Sequence, residues 1–120
     1  MLLLEIMSAE EKRKQCEKYQ EEQRRKEREE KEELNAKATE NAIRLFPYVK
    51  EQIENEMNFT YKTIVFTTAN GFDKNTPKAE IKKTVEIIGE ILDFAGYRTS
   101  NLIIWDTIYK EEICRFVVSW

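Results

Sequence analysis

Histidine is absent from all 120 residues of this chain. That removes the commonest general base at neutral pH and every zinc site that mixes cysteine with histidine. Cysteine is scarce as well, with Cys16 and Cys114 the only two. They fall on different predicted elements and make no disulfide framework, so they read as reduced structural thiols of an intracellular protein. Glycine occurs three times and proline twice, and no flexible linker or internal repeat appears. Neither GxGxxG nor GxxxxGK is present, and Gly71 alone makes no phosphate loop. A long apolar run is missing too. Met1 to Met7 (MLLLEIM) falls far short of the roughly 20 residues that span a bilayer, and it lacks a basic n-region and a cleavage site. A soluble cytoplasmic protein with no membrane partner is expected, its leader covered by the body or by another subunit.

An excess of positive charge is lacking as well, the formal net charge being −3. This argues against a DNA or RNA polymer as partner but leaves room for a local basic pocket that takes a small phosphorylated ligand. Asp73 and Asp106 are loop acids with no nucleophile or base visible beside them. Ser100 and Ser119 lack a histidine or an elbow motif. No enzyme, no cofactor and no metal site are expected.

What the chain does have is charge and helical periodicity. Charged residues make up 36% and hydrophobic ones 41%. So small and polar a chain buries little core alone, and oligomerisation is a natural way to bury more. Ser8-Ala9-Glu10-Glu11 reads as a capping box, and Glu, Lys, Arg and Gln dominate from there to Leu34, all good helix formers. Glu10–Lys14, Glu21–Arg25, Glu22–Lys26 and Glu27–Lys31 are favourable i,i+4 pairs. Ala38, Ala42, Leu45, Val49, Ile53 and Met57 then keep helical spacing, with Ile43 and Phe46 beside them. Pro47 predicts a kink or break within this long helix.

Asn58 to Thr68 reads as a strand, with Phe59, Tyr61, Thr63, Val65 and Thr67 on one face and Lys62, Ile64 and Phe66 on the other. A polar loop, residues 70–75, leads to the best-marked helix. There Thr76 is the expected N-cap and Pro77 the first helical residue. Ile81, Val85, Ile88 and Leu92 form its apolar stripe, which Ile87, Ile91 and Phe94 widen, and Gly96 ends it. Tyr97 to Asp106 and Ile113 to Trp120 read as two strands of an antiparallel hairpin. On the last one, Phe116 and Val118 should face the helix and Arg115 the opposite side, where Trp105 or Ile103 joins it. The expected fold is α+β: a leader and long kinked helix over residues 1–57, then a β-α-β-β unit over 58–120, its three-stranded sheet packed on helices. The open sheet face, with Val65, Val117, Arg115 and aromatics, argues for dimerisation through the sheet or the helices.

Arg98 and Arg115 lie on or next to predicted strands, among Tyr97, Trp105, Tyr109, Phe72 and Trp120. Arginine forks grip phosphate, and aromatic faces stack on a base. The plainer alternative is that the aromatics are core and the arginines surface cover. Likewise the cluster Arg24, Arg25, Lys26 and Arg28 is either a solvated helix face or a phosphate-binding patch between chains.

The layout resembles that of small phage-encoded proteins. An apolar leader precedes Ser8-Ala9-Glu10-Glu11 and a charged helix with an early Cys16. A strand follows, then a helix closed by Gly96-Tyr97, and the chain ends on Phe116-Val117-Val118-Ser119-Trp120. Among such proteins it looks most like the first family of Thoeris anti-defence proteins. That resemblance implies a non-enzymatic homo-oligomer, dimers assembled into hexamers. It would bind the cyclic ADP-ribose isomer made by bacterial TIR enzymes and withhold it from the defence effector, with cyclic trinucleotides held at separate sites in some members. On this implication Arg98 and Arg115 take phosphates, and Phe72, Trp105 or Tyr109 stacks on the base. Asn75 or Asp106 would bond ribose or adenine, and Arg24 and Arg28 are candidates for the second ligand. The rival readings are a helical docking or oligomerisation module and an inhibitor that masks a host protein.

Overall fold

The structure, a computed structural model, describes residues 5–108 and 110–120. Helix α1 spans Ala9–Glu54 and is followed by strand β1 (Tyr61–Phe66), helix α2 (Lys78–Phe94) and strands β2 (Arg98–Asp106) and β3 (Glu111–Ser119). The chain divides into two compact units, one running to Glu33 and the other from Leu34 to Trp120.

In the first unit the Ser8 hydroxyl oxygen accepts the Glu11 amide at 3.2 Å, which makes Ser8 the N-cap and supplies one of the two bonds of a capping box. Lys14 pairs with Glu10 at 3.6 Å, while Arg25 pairs with Glu29 at 3.8 Å. These pairs are mostly solvated, so each adds only about 0.3–0.5 kcal/mol.

The second unit begins where α1 turns amphipathic, burying Ala38, Ala42, Leu45, Val49 and Ile53. Two neighbours do not follow the expected stripe: Ile43 is 70% exposed, and Met57, beyond the helix end, is 85% exposed. Nor does Pro47 break the helix, which runs through it without interruption. Proline removes the donor for the Ile43 carbonyl four residues back. Pro47 and Ile43 are both exposed, so water can replace that bond, and the loss is tolerated where a buried proline would not be.

Helix α2 starts one residue later than the pattern suggests. Pro77 itself occupies the N-cap with extended ψ of 144° and makes no side-chain cap bond. Its carbonyl accepts the amides of Glu80 and Ile81, whereas the Thr76 amide is spent on the Asp73 carbonyl. Thr76 is therefore part of the preceding turn and not the cap. At the other end Gly96 takes φ of 97°, its amide bonds the Asp93 carbonyl, and the Tyr97 amide bonds the Leu92 carbonyl. This is a complete Schellman closure, which glycine adopts without steric cost.

All three strands pair antiparallel in the order β1-β3-β2, so the C-terminal strand is central. One face meets the helices through Ile64, Phe66, Cys114, Phe116 and Val118, which join Leu45, Val49, Val85, Ile88 and Leu92 in a single core. Each such aliphatic or aromatic side chain contributes about 1.5–3 kcal/mol when fully buried. Buried Thr84 satisfies its hydroxyl on the Glu80 carbonyl at 2.7 Å. Burial also pushes the Cys114 thiol up to about 11 from 9.0. On α2 only Ile87 widens the stripe, packing half-buried against the core, whereas Ile91 is 45% and Phe94 96% exposed.

Register overturns one expectation about the sheet. Leu102 stands opposite Arg115, whereas Ile103 and Trp105 stand opposite Cys114 and Glu112. Directly opposed residues share a face. Trp105 and Ile103 are thus on the helix-covered side, and Arg115 is on the other side with Val65, Leu102 and Val117. Among the described residues, no helix is long and apolar enough to cross a membrane.

A Cβ at Gly89 would approach Thr99 Oγ1 to 2.9 Å. Gly89→Ala therefore sets a helix-propensity gain of about 1 kcal/mol against an overpacking cost of about 1–3 kcal/mol. Urea denaturation should show Gly89→Ala less stable than wild type, but stabilising when introduced into a Thr99→Ala background. For the cysteines, a thiolate reagent at pH 8 should label one thiol per native chain, the exposed Cys16, and both in denaturant. Because the folded Cys114 thiol keeps its proton above the unfolded value, its contribution to stability is intact below pH 9.0 and lost as pH rises towards 11.

Candidate functional site

Residues 67–76, between β1 and α2, are tied down from several directions. Asn70 Oδ1 accepts the Thr67 amide at 2.8 Å, and Asn70 Nδ2 donates to the Val65 carbonyl at 3.0 Å. The Thr67 carbonyl accepts the amides of Gly71 and Phe72. From α1, Arg44 Nη2 donates to the Gly71 carbonyl at 2.7 Å. Gly71 itself is close against Phe66, where a Cβ would sit 3.0 Å from the Phe66 Cβ. Phe72 then enters the core and meets Phe66 edge-on at 6.0 Å.

This pinned loop faces the far end of the β2–β3 hairpin, and a cleft of about 160 Å³ lies there. Asn75, Thr76, Lys74 and Phe72 line it from the loop, Trp105 and Glu112 from the paired strands, and Lys110 from the turn. Trp105 is 56% exposed, so much of its indole is available to a ligand. The Thr68 hydroxyl donates to the Glu111 carboxylate, joining loop to hairpin. Asp106 Oδ1 accepts the Ile108 amide at 2.8 Å and so shapes the turn. Lys110 completes that turn with φ of 51°, the left-handed conformation that a side chain disfavours. Lys74 and Lys110, both exposed, offer positive charge at the rim, while Asp73, Glu111 and Glu112 offer carboxylates. The lining suits a ligand with an anionic end, an aromatic ring and hydrogen-bond donors. Among the described residues no group of three or more Cys, Asp or Glu could hold a metal ion.

The candidate residues read from sequence are therefore partly gathered and partly scattered. Asn75, Trp105 and Phe72 share the cleft. Phe72 is only 5% exposed with its ring in the core, so it forms a wall and cannot stack face-on with a base. Asp106 shapes the adjoining turn. Tyr109 lies outside the described residues. Arg115 is exposed on the other sheet face. Arg98 begins β2 and lines a separate open depression with Glu86, Glu90 and Asp93, away from the hairpin cleft. Along the sheet, Arg98 is level with Ser119, four residues from Arg115. That is roughly 13 Å at the usual rise, so the two do not form a compact pair. Arg24 and Arg28 are one turn apart on α1 in the first unit, with Glu21 and Glu22 in the turn before them.

Lys74, Lys110 and Glu112 were missed. For Lys110 and Glu112 the signal lay in the hairpin: pairing Asp106 with Glu111 sets Trp105 opposite Glu112 and brings Lys110 to the same end. Replacing Lys110 by glycine should relieve about 1–2 kcal/mol of backbone strain, to be read as a higher urea midpoint with unchanged slope. No protein-family model, curated protein or solved structure matches this chain.

Proposed function

We propose that this protein is a non-enzymatic binder that sequesters a cyclic nucleotide signal, such as a cyclic ADP-ribose isomer made by TIR enzymes, in the cytoplasm of a host cell. The observation that carries the reading is the hairpin cleft, where one half-exposed indole, two lysines, three carboxylates and polar loop groups converge on a space lined by a fixed loop. Its volume is below the roughly 300–1,000 Å³ of drug-sized pockets, so it admits a base and leaves ribose and phosphates at the lysine-bearing rim. Trp105 stacks on the base, Asn75 bonds the sugar or ring edge, and Lys74 and Lys110 meet the phosphates.

A second copy of the chain is the partner this reading expects, as a dimer or larger homo-oligomer. Tyr61, Val65 and Leu102 are 50%, 37% and 57% exposed on the helix-free sheet face, an apolar surface suited to self-association. The same surface favours the rival reading, a structural or protein-interaction module without a small ligand.

Calorimetry with cyclic ADP-ribose isomers separates the two. Saturable heat, with unaltered ligand recovered after gel filtration, is expected for the wild type. Trp105→Ala should weaken binding by the equivalent of about 1–3 kcal/mol, the worth of one base–aromatic stack. An Arg98→Ala, Arg115→Ala double variant should bind within about twofold of wild type, since sites far from the cleft act independently. No heat in the wild type, or a ligand returned cleaved, overturns the reading.

A further inference from the structure

Glu112 has no role in the site as described so far. Its Oε2 is shut off from solvent and has no hydrogen-bond partner. Buried polar atoms are nearly always paired, and an unpaired acceptor costs folding free energy that a ligand donor would recover. The side chain lines the hairpin cleft and stands directly opposite Trp105 on the neighbouring strand, on the same face of the sheet. Directly opposed residues in an antiparallel pair have Cβ atoms about 4.5–5.5 Å apart. An acceptor without a partner therefore belongs to the residue beside the aromatic platform, and it meets a ligand donor once the carboxylate turns towards the cleft. Lysines at the rim take the anionic end of such a ligand, and they are cationic donors rather than acceptors. Glu111, the neighbouring carboxylate, is already engaged by the Thr68 hydroxyl, and Asp106 by the Ile108 amide.

Resting on the nucleotide reading above, we infer that Glu112 is the specificity-determining residue of the cleft, accepting a hydrogen bond from the exocyclic amine of the stacked base. The ligand class is then an amino-purine nucleotide. A base without that amine leaves Oε2 as unpaired as it is in the free protein, so it forgoes the bond and binds more weakly. Sites built around a polar group discriminate strongly against analogues that lack its partner, whereas apolar pockets do not.

The test compares adenosine 5′-monophosphate with purine riboside 5′-monophosphate, which differs only by replacing the amine with hydrogen. The wild type should prefer the first by roughly tenfold or more. Glu112→Ala should bind the two alike, while Glu112→Gln, which keeps an acceptor oxygen, should restore part of the preference. A merely structural role for Glu112 would weaken both ligands equally, and far-UV circular dichroism with thermal melts checks that each variant folds. A preference that survives in Glu112→Ala, while Trp105→Ala abolishes binding, overturns this inference and leaves the nucleotide reading standing. If the wild type binds neither nucleotide nor any cyclic ADP-ribose isomer, the nucleotide reading falls and takes the inference with it.

Discussion

Phe66 meets three other rings, those of Tyr48, Phe72 and Phe116, at centroid distances of 6.4, 6.0 and 6.4 Å. The four side chains come from α1, β1, the loop after β1 and the central strand β3. Each aromatic pair adds about 0.5–1.5 kcal/mol beyond its buried area. The arrangement does more than hold the core. By drawing Phe72 inward it ends the freedom of the loop, whose remaining polar groups are then fixed by Asn70 and by Arg44. A loop held in this way can serve as one wall of a cleft, because little ordering entropy remains to be lost when something binds. Without that aromatic joint, residues 73–76 would have no set position relative to Trp105 and Lys110.

The second constraint is that the helices cover one face of the sheet. Three strands are enough for α2 and the amphipathic half of α1 to bury Ile64, Phe66, Cys114, Phe116 and Val118. Nothing in the described chain plays that part on the side of Arg115. The resulting division of labour is spatial. The helix side places Trp105 and Glu112 at its open end, beside the loop, while the bare side is left for the proposed self-association. Arg115 belongs to the second surface, flanked across the strands by Val65 and Leu102.

Periodicity made most of the fold legible before any coordinates. The stripe Ile81, Val85, Ile88, Leu92 is buried as its spacing predicts, Gly96 closes α2, and Phe116 and Val118 face the helix. These signals are local, with a period of 3.6 or 2 residues, and they survive folding unchanged. Helix α1 could also be read through its Ser8 cap. What failed depended on information that is not local. The choice between a kink and a break at Pro47 stayed open in the sequence, because it turns on whether the orphaned Ile43 carbonyl can reach water, which requires knowing which side is exposed. The placement of Trp105 turned on the exact pairing partner, since a shift of one residue flips a strand's faces. Phe72 and Trp105 both looked like stacking groups by composition, yet one became core and the other stayed half open. Composition could not separate them, and the loop bonds that decide it involve Asn70 and Arg44, residues with no motif of their own.

Two tryptophans make a direct measurement possible. Trp105 lines the cleft, whereas Trp120 lies at the other end of the sheet, where its amide bonds the Thr60 carbonyl and its ring meets Tyr97 edge-on at 6.2 Å. In a proton–nitrogen correlation spectrum each gives one indole signal. Titrating a cyclic ADP-ribose isomer should move the Trp105 indole signal, saturating with the ligand, and leave the Trp120 signal in place. If both signals stay fixed, or Trp120 moves and Trp105 does not, the hairpin cleft is not where this protein holds a ligand.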